Sequence, residues 1–314
     1  MNDTLSVLVA DVEQLTPLIK LFTLVPVGGG RLPGFSGGSH IVVTMEDRGK
    51  RHRNPYSLLS SPEDTRYYQI AVRRDDAGRG GSRFMHERVA PGTVLAISTP
   101  FNLFPLNRLA RKHILIAGGI GITPFLAQLA DLRRNGAEYE LHYAYRSPEH
   151  AAFRDKLLQE HPGRVHFHCG PQRLQPEVLC AAQPLGTHLY VCGPQPLIDA
   201  VIAAARAEGW PDSHIHWERF SAPPEGKPFT VVLAKTGIEI GVAADQTVLE
   251  ALEHAGLEPR CLCRGGACGQ CETAVLEGEV EHHDHYLSAA DRAAHRKMMI
   301  CVSRARSERL VLDI

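Results

Sequence analysis

Cysteine placement constrains this chain more than any other feature. Cys169, Cys180 and Cys192 are scattered, whereas Cys261, Cys263, Cys268, Cys271 and Cys301 all fall in the last quarter of its 314 residues. Four residues separate Cys263 from Cys268, two separate Cys268 from Cys271, and Cys301 follows thirty positions after Cys271. The N-terminal stretch MNDTLSVLVADVEQLTPLIK has no basic leader, and its apolar run is broken at Asp11, Glu13 and Gln14, so it does not read as a signal peptide. In a chain without an export signal, clustered cysteines point to metal binding rather than to disulfides.

The spacing C-x4-C-x2-C…C is that of plant-type [2Fe-2S] sites. Two irons and two sulfides need four thiolates converging from one side. The glycines of CRGGACGQC permit the tight winding this requires and turn backbone N–H groups toward the sulfurs. Zinc knuckles favour paired C-x2-C units, and only one such pair is present. The expected ligands are therefore Cys263, Cys268, Cys271 and Cys301. Choosing Cys261 in place of Cys263 would put six residues before Cys268, so Cys261 reads as a near neighbour.

The length suggests two or three domains. Hydrophobic residues make up 44% and charged residues 22%, with a net charge of −1, which gives no whole-chain case for nucleic acid or an acidic membrane surface. No apolar stretch is long enough to span a bilayer, so a cytoplasmic protein is expected. Residues 1–107 read as an antiparallel β-barrel, with runs such as SVLVADVEQL, HIVVTM, YYQIAVRR and TVLAIS between Gly-, Pro- and Ser-rich breaks. One helix is expected at SRFMHERV, with Ser82 as its cap. Residues 108–220 alternate strands and helices, the pattern of a parallel α/β domain. Residues 221–228 lie within the Pro-rich FSAPPEGKP stretch and form the expected linker. Residues 229–314 form a small α+β domain around the cysteines.

Four further segments suit cofactor binding. Arg53-Asn54-Pro55-Tyr56-Ser57 offers a cation, a flat ring and a hydroxyl. Arg79-Gly80-Gly81-Ser82 opens the expected helix, where free N–H groups and the dipole favour a phosphate. Taken singly these are weak signals. Ile116-Ala117-Gly118-Gly119-Ile120-Gly121-Ile122-Thr123-Pro124 lies between a strand and a helix, and Tyr190-Val191-Cys192-Gly193-Pro194 ends a later strand. The first is not the GxGxxG fingerprint, because Pro124 holds its last position. Both turns would nevertheless lie outside the carboxyl ends of parallel strands, where open α/β sheets bind ligands. Glu281-His282-His283-Asp284-His285 reads as a solvated turn, and Lys227, Arg304 and Arg306 as rim charges.

Together and in this order, the segments resemble ferredoxin–NADP reductase-like proteins, and in particular the phthalate dioxygenase reductase and vanillate demethylase reductase family, over essentially the whole chain. The resemblance implies an FMN-binding barrel, an NAD-binding α/β domain and a β-grasp ferredoxin. It places Tyr56 on the flavin ring, Ser57 at its N5 edge, and Arg53 in the same motif. Ala71, Val72 and Arg73 would lie beside the pyrimidine, Gly80, Gly81 and Ser82 at the phosphate, and Phe220 against the flavin. Gly118, Gly119, Gly121 and Thr123 would hold the nucleotide pyrophosphate. Arg146 and Ser147 would meet the adenosine ribose, Cys192 would approach the nicotinamide, and Gly193 and Pro194 would also bind the cofactor. Ser57, Thr123, Cys192 and Phe220 would border the reacting atoms.

The implied function is an NADH-dependent reductase that passes electrons through FMN and the [2Fe-2S] cluster to a Rieske-type oxygenase partner, working as a monomer. FAD in place of FMN, NADPH in place of NADH, a cytochrome P450 or diiron acceptor, and an iron–sulfur redox sensor are the alternatives.

Overall fold

The computed structural model describes residues 4–47, 49–170, 173–220 and 225–314. It divides into two compact units, Met1–Phe220 and Ser221–Ile314. Half of the expected linker, residues 221–224, lies outside the described residues.

The first unit opens with β1 (Thr4–Thr16) and β2 (Ile19–Pro26), then β3 (Ser39–Asp47), β4 (Lys50–Ser57) and β5 (Tyr68–Arg73). A helix, α1 (Gly81–Arg88), precedes β6 (Val94–Ser98) and the short β7 (Phe101–Asn102). The strands run β4-β3-β6-β1-β2-β5, with β7 added beside β3, and every recorded pair is antiparallel. The end strands β4 and β5 approach each other without pairing, and α1 lies near both. Val7, Phe22, Ile41, Val43, Tyr68, Ile70 and Ile97 fill the interior. The β4 sequence KRHRNPYS carries little apolar signal and contains Pro55. An edge strand tolerates both, because its outer N–H groups need no partner.

The same unit continues with β8 (Lys112–Gly118), a 3-10 turn at Gly119–Ile122, and α2 (Thr123–Arg134). There follow β9 (Glu138–Tyr145), α3 (Arg154–Glu160), β10 (Val165–Cys169), α4 (Pro176–Cys180), β11 (Thr187–Cys192), α5 (Gln195–Ala207) and β12 (Ile215–Glu218). All five strands are parallel, in the order β10-β9-β8-β11-β12. The chain therefore leaves β8 in one direction and returns to its other side at β11. This reversal opens a crevice at the carboxyl ends of those two strands. The helix α3 starts only at Arg154, because Phe153 just before it takes a left-handed φ of 66°.

One core joins the barrel to this sheet. Ile19, Leu21 and Ala71 of the barrel pack with Phe125, Leu126 and Tyr190. Gly37 N–H donates to Asp131 Oδ2 at 2.8 Å, and Gln128 Nε2 donates to the Phe104 carbonyl at 2.7 Å. A Cβ on Gly37 would stand 2.6 Å from the Gln128 Cα, so the glycine-rich loop of the barrel is a docking surface as well as a turn.

The second unit contains β13 (Phe229–Leu233), β14 (Glu239–Val242), α6 (Val248–His254), β15 (Glu272–Glu277), β16 (Val280–Glu281), α7 (Ala289–Ala294), β17 (Lys297–Met299), β18 (Arg304–Ala305) and β19 (Arg309–Leu312). Its main sheet runs β14-β13-β19-β15-β17, with β13 and β19 parallel, and Val248, Leu249 and Leu252 of α6 are buried in the same core as the sheet. Thr247 and Glu250 close α6 with a capping box. Two surface readings fail here. Arg304 is 1% exposed, donates to the Gln246, Lys227 and Ala243 carbonyls, and lies over the Phe229 ring. Asp284 is also buried, accepting from Leu287 N–H and from the Ser303 hydroxyl. Three carbonyl acceptors let a guanidinium leave water, and two donors do the same for a carboxylate.

Candidate functional site

The residues expected at a flavin lie where β4, β5 and α1 meet. Strand alternation puts His52, Asn54 and Tyr56 on one side of β4, and Arg53, Pro55 and Ser57 on the other. Asn54, which the sequence reading passed over, therefore shares the Tyr56 side, and Asn54 Nδ2 donates to the Tyr56 hydroxyl at 3.4 Å. Burial pushes the Tyr56 phenol up to about 12. Gly80 takes φ 103° at the start of α1, and a Cβ on Gly81 would meet the Asn54 side chain at 2.5 Å. Ser82 is not the cap. Its hydroxyl instead ties to the Asp75 backbone, accepting from the N–H at 3.1 Å. Among the described residues α1 has no side-chain cap, and its first turn holds no acid. Its leading N–H groups therefore suit a phosphate. On β5, Ala71 and Val72 are buried while Arg73 is exposed.

The nucleotide turn lies at the carboxyl end of β8, and the barrel reaches it through β5, which approaches Gly119–Ile122. Two glycine contacts bring β8 and β11 together. A Cβ on Gly121 would lie 2.2 Å from the Cys192 carbonyl oxygen, and one on Gly193 would lie 2.9 Å from the Gly118 Cα. Only bare backbone fits there, which leaves peptide groups available to a pyrophosphate. Pro124 opens α2 instead of breaking it, since its missing N–H would be unpaired in a first turn. Thr123 is buried and donates to the Ile120 carbonyl at 3.0 Å. Arg146 and Ser147 follow β9 on the same sheet edge; Arg146 is exposed, and Ser147 bonds to Glu149 and His150. Phe220 closes the unit at 46% exposure.

Cys192 is fully buried, and burial followed by the nearby Glu218 charge raises its thiol well above the ordinary range. Glu218 is the second residue the sequence reading missed. It pairs in register with Cys192 across β11 and β12. Its Oε2 is shielded from solvent and has no hydrogen-bond partner among the described residues, and burial pushes its carboxyl up to about 8. The residue as a whole is only half-buried, so the shielding belongs to that oxygen. Sequence gives no signal for it beyond its place at a strand's carboxyl end.

In the second unit, Cys263, Cys271 and Cys301 are buried and Cys268 is partly so. Cys268 and Cys301 donate to Cys263, and Gly265 N–H reaches its Sγ at 3.4 Å, which together hold that thiol well below its usual range. The Cys261, Cys271 and Cys301 sulfurs lie within 4.8 Å of one another, so Cys261 stands closer to the nest than its spacing suggests. Arg264 forms two 2.8 Å bonds to Glu253 of α6, pinning the loop to its helix. Gly269 takes φ 75°, and a Cβ there would strike the Tyr286 ring at 2.4 Å. Converging thiols ringed by backbone N–H groups fit an iron–sulfur cluster.

The family of 2Fe-2S iron-sulfur cluster binding domains matches residues 231–306, and the N-terminal domain of dimethylamine monooxygenase subunit DmmA-like proteins matches residues 98–215. The chain is 53% identical to the carnitine monooxygenase reductase subunit of Acinetobacter baumannii, over 98% of this chain and 96% of that protein. It is 48% identical to the heme-dependent oxidative N-demethylase beta subunit of Ectopseudomonas mendocina, over the full length of both. A solved phthalate dioxygenase reductase superposes with a TM-score of 0.87 at 35% identity, covering 99% of this chain and 98% of the other.

This chain belongs to the phthalate dioxygenase reductase family.

As a member, it is an oxidoreductase subunit of an oxygenase system, moving electrons through a flavin and a [2Fe-2S] cluster. The fold agrees with the architecture expected from sequence, including the C-terminal ferredoxin domain. Among the described residues no helix is long and apolar enough to cross a membrane.

Proposed function

We propose that the chain oxidises NADH, holds FMN against β4, β5 and α1, and delivers single electrons through Cys263, Cys268, Cys271 and Cys301 to a Rieske-type oxygenase, working as a cytoplasmic monomer. The flavin, when bound, supplies the conversion of a two-electron hydride into one-electron steps. The observation that carries the reading is the meeting of β5 with the Gly119–Ile122 turn, beside the contact of Gly121 with Cys192. It sets the flavin strand and the nucleotide turn at one crevice.

The roles divide along that crevice. Gly118, Gly119 and Gly121 present backbone to the pyrophosphate, and Gly193 and Pro194 form the turn that follows Cys192. Thr123, Cys192 and Ser57 border the transfer position, and burial keeps water from it. The neutral Cys192 thiol adds bulk without charge beside the nicotinamide. Gly80, Gly81 and Ser82 receive the FMN phosphate, Tyr56 packs on the ring system, and Asn54 orients Tyr56. Arg53 reaches the flavin from the Ser57 side of β4. Arg146 and Ser147 sit where the adenosine ribose would lie, and Phe220 covers the flavin at the end of the unit.

A second reading has its own support. A relative that is 48% identical is named a subunit of a heme-dependent demethylase, so a haem protein is an alternative acceptor. Anaerobic purification tests the first reading. Released flavin should be FMN, and NADH should bleach both flavin and cluster absorption. Cluster bands without flavin would overturn it. Mixing the reduced protein with a Rieske oxygenase and with a haem demethylase then separates the two acceptors.

A further inference from the structure

The sheet of the first unit has a second polar cluster that electron transfer does not use. On the face away from α2, Ile114, Ile116, Leu189 and Val191 of β8 and β11 are covered by Cys180 of α4 and by Ile198 and Val201 of α5. In register on the same face, β9 carries Glu140 opposite Ile114 and His142 opposite Ile116, and β10 carries His166 opposite His142. This part of the face is polar. One ligand atom from each of Glu140, His142 and His166 lies within 4.8 Å of the others.

The hydrogen bonding leaves a buried ring nitrogen unpaired beside a carboxylate. His142 Nδ1 lies 3.1 Å from His168 Nε2, and its Nε2 lies 3.8 Å from Glu140 Oε1, too far for a hydrogen bond. That Nε2 is out of solvent and has no partner among the described residues, and His142 is 9% exposed. When Nδ1–H donates to His168, the Nε2 lone pair faces a carboxylate, two acceptors with nothing between them. A metal-bound histidine commonly donates its other ring N–H in this way.

We propose that Glu140, His142 and His166 bind one zinc-class divalent cation, tying edge strand β10 to β9. Two imidazoles and a carboxylate with an open fourth position suit Zn2+ and its neighbours. The His142 and His166 rings stack 4.8 Å apart at 22°, so the exposed His166 must turn about its Cβ–Cγ bond to converge. Lys112 Nζ, 3.2 Å from Glu140 Oε1, competes for the carboxylate.

The test uses the full protein with flavin and cluster loaded, stripped of loose metal by a chelator and checked for unchanged cluster absorption. Zn2+ is titrated calorimetrically, and melting is followed with and without it. Wild type should take up one equivalent and melt higher. His166→Ala should bind about tenfold more weakly or worse and lose the melting shift. Lys112→Met should bind more tightly than wild type. No uptake by wild type, equal uptake by His166→Ala, or equal or weaker binding by Lys112→Met each overturns the proposal.

Discussion

Substituting Gly121→Ala tests the crevice most directly. The new methyl would lie 2.2 Å from the Cys192 carbonyl oxygen, 2.6 Å from its carbonyl carbon and 2.9 Å from Gly193 N. All three atoms are backbone, so no side chain can swing aside. Restoring contact distance needs a displacement of about 1 Å between the β8 and β11 ends. Overpacking of this kind costs about 1–3 kcal/mol of stability. A misplacement of about 1 Å at a reacting centre costs about a hundredfold in rate. Stopped-flow mixing with NADH, following flavin bleaching, should therefore show a loss of about a hundredfold. Flavin content and cluster absorption should stay intact, because both lie on other elements. Gly136→Ala is the control: nothing lies within 4 Å of its would-be Cβ, and its φ of 61° carries a penalty of about 1–2 kcal/mol away from the β8 and β11 turns. Wild-type bleaching in Gly121→Ala, or an equal loss in Gly136→Ala, would refute the argument that backbone contact between the two turns builds the site.

Other outcomes follow from the same geometry. The Glu218 carboxyl is pushed up to about 8, so from the usual carboxylate range to about pH 8 the folded protein holds a proton that the unfolded chain releases. Stability should fall as pH rises through that window, and Glu218→Gln should flatten the decline in a series of thermal melts. Cys268→Ala should remove cluster absorption and bound iron while NADH still bleaches the flavin, since the two centres occupy separate units. Arg304→Leu leaves the Gln246, Lys227 and Ala243 carbonyls without their donor, and at about 1 kcal/mol or more for each stranded acceptor it should lower the melting of the second unit by several degrees.

Sequence alone determined the cysteine cluster, the C-terminal iron–sulfur domain that contains it and the location of both glycine turns. These are local properties: cysteine spacing is set along the chain, and a glycine turn between strand and helix is recognisable within a dozen residues. What tertiary structure decided is which residues face one another. Asn54 joins Tyr56 because strand alternation, not proximity in sequence, chooses the side, and the charged, proline-containing β4 carries little apolar signal. Glu218 meets Cys192 only because parallel β12 pairs with β11. Arg304 and Asp284 look like surface charges until acceptors and donors from several distant segments take them out of water. Gly37 marks a turn in sequence and a docking point in space. Pairing across strands and burial by remote segments depend on contacts far apart in the chain, and a motif carries no record of them.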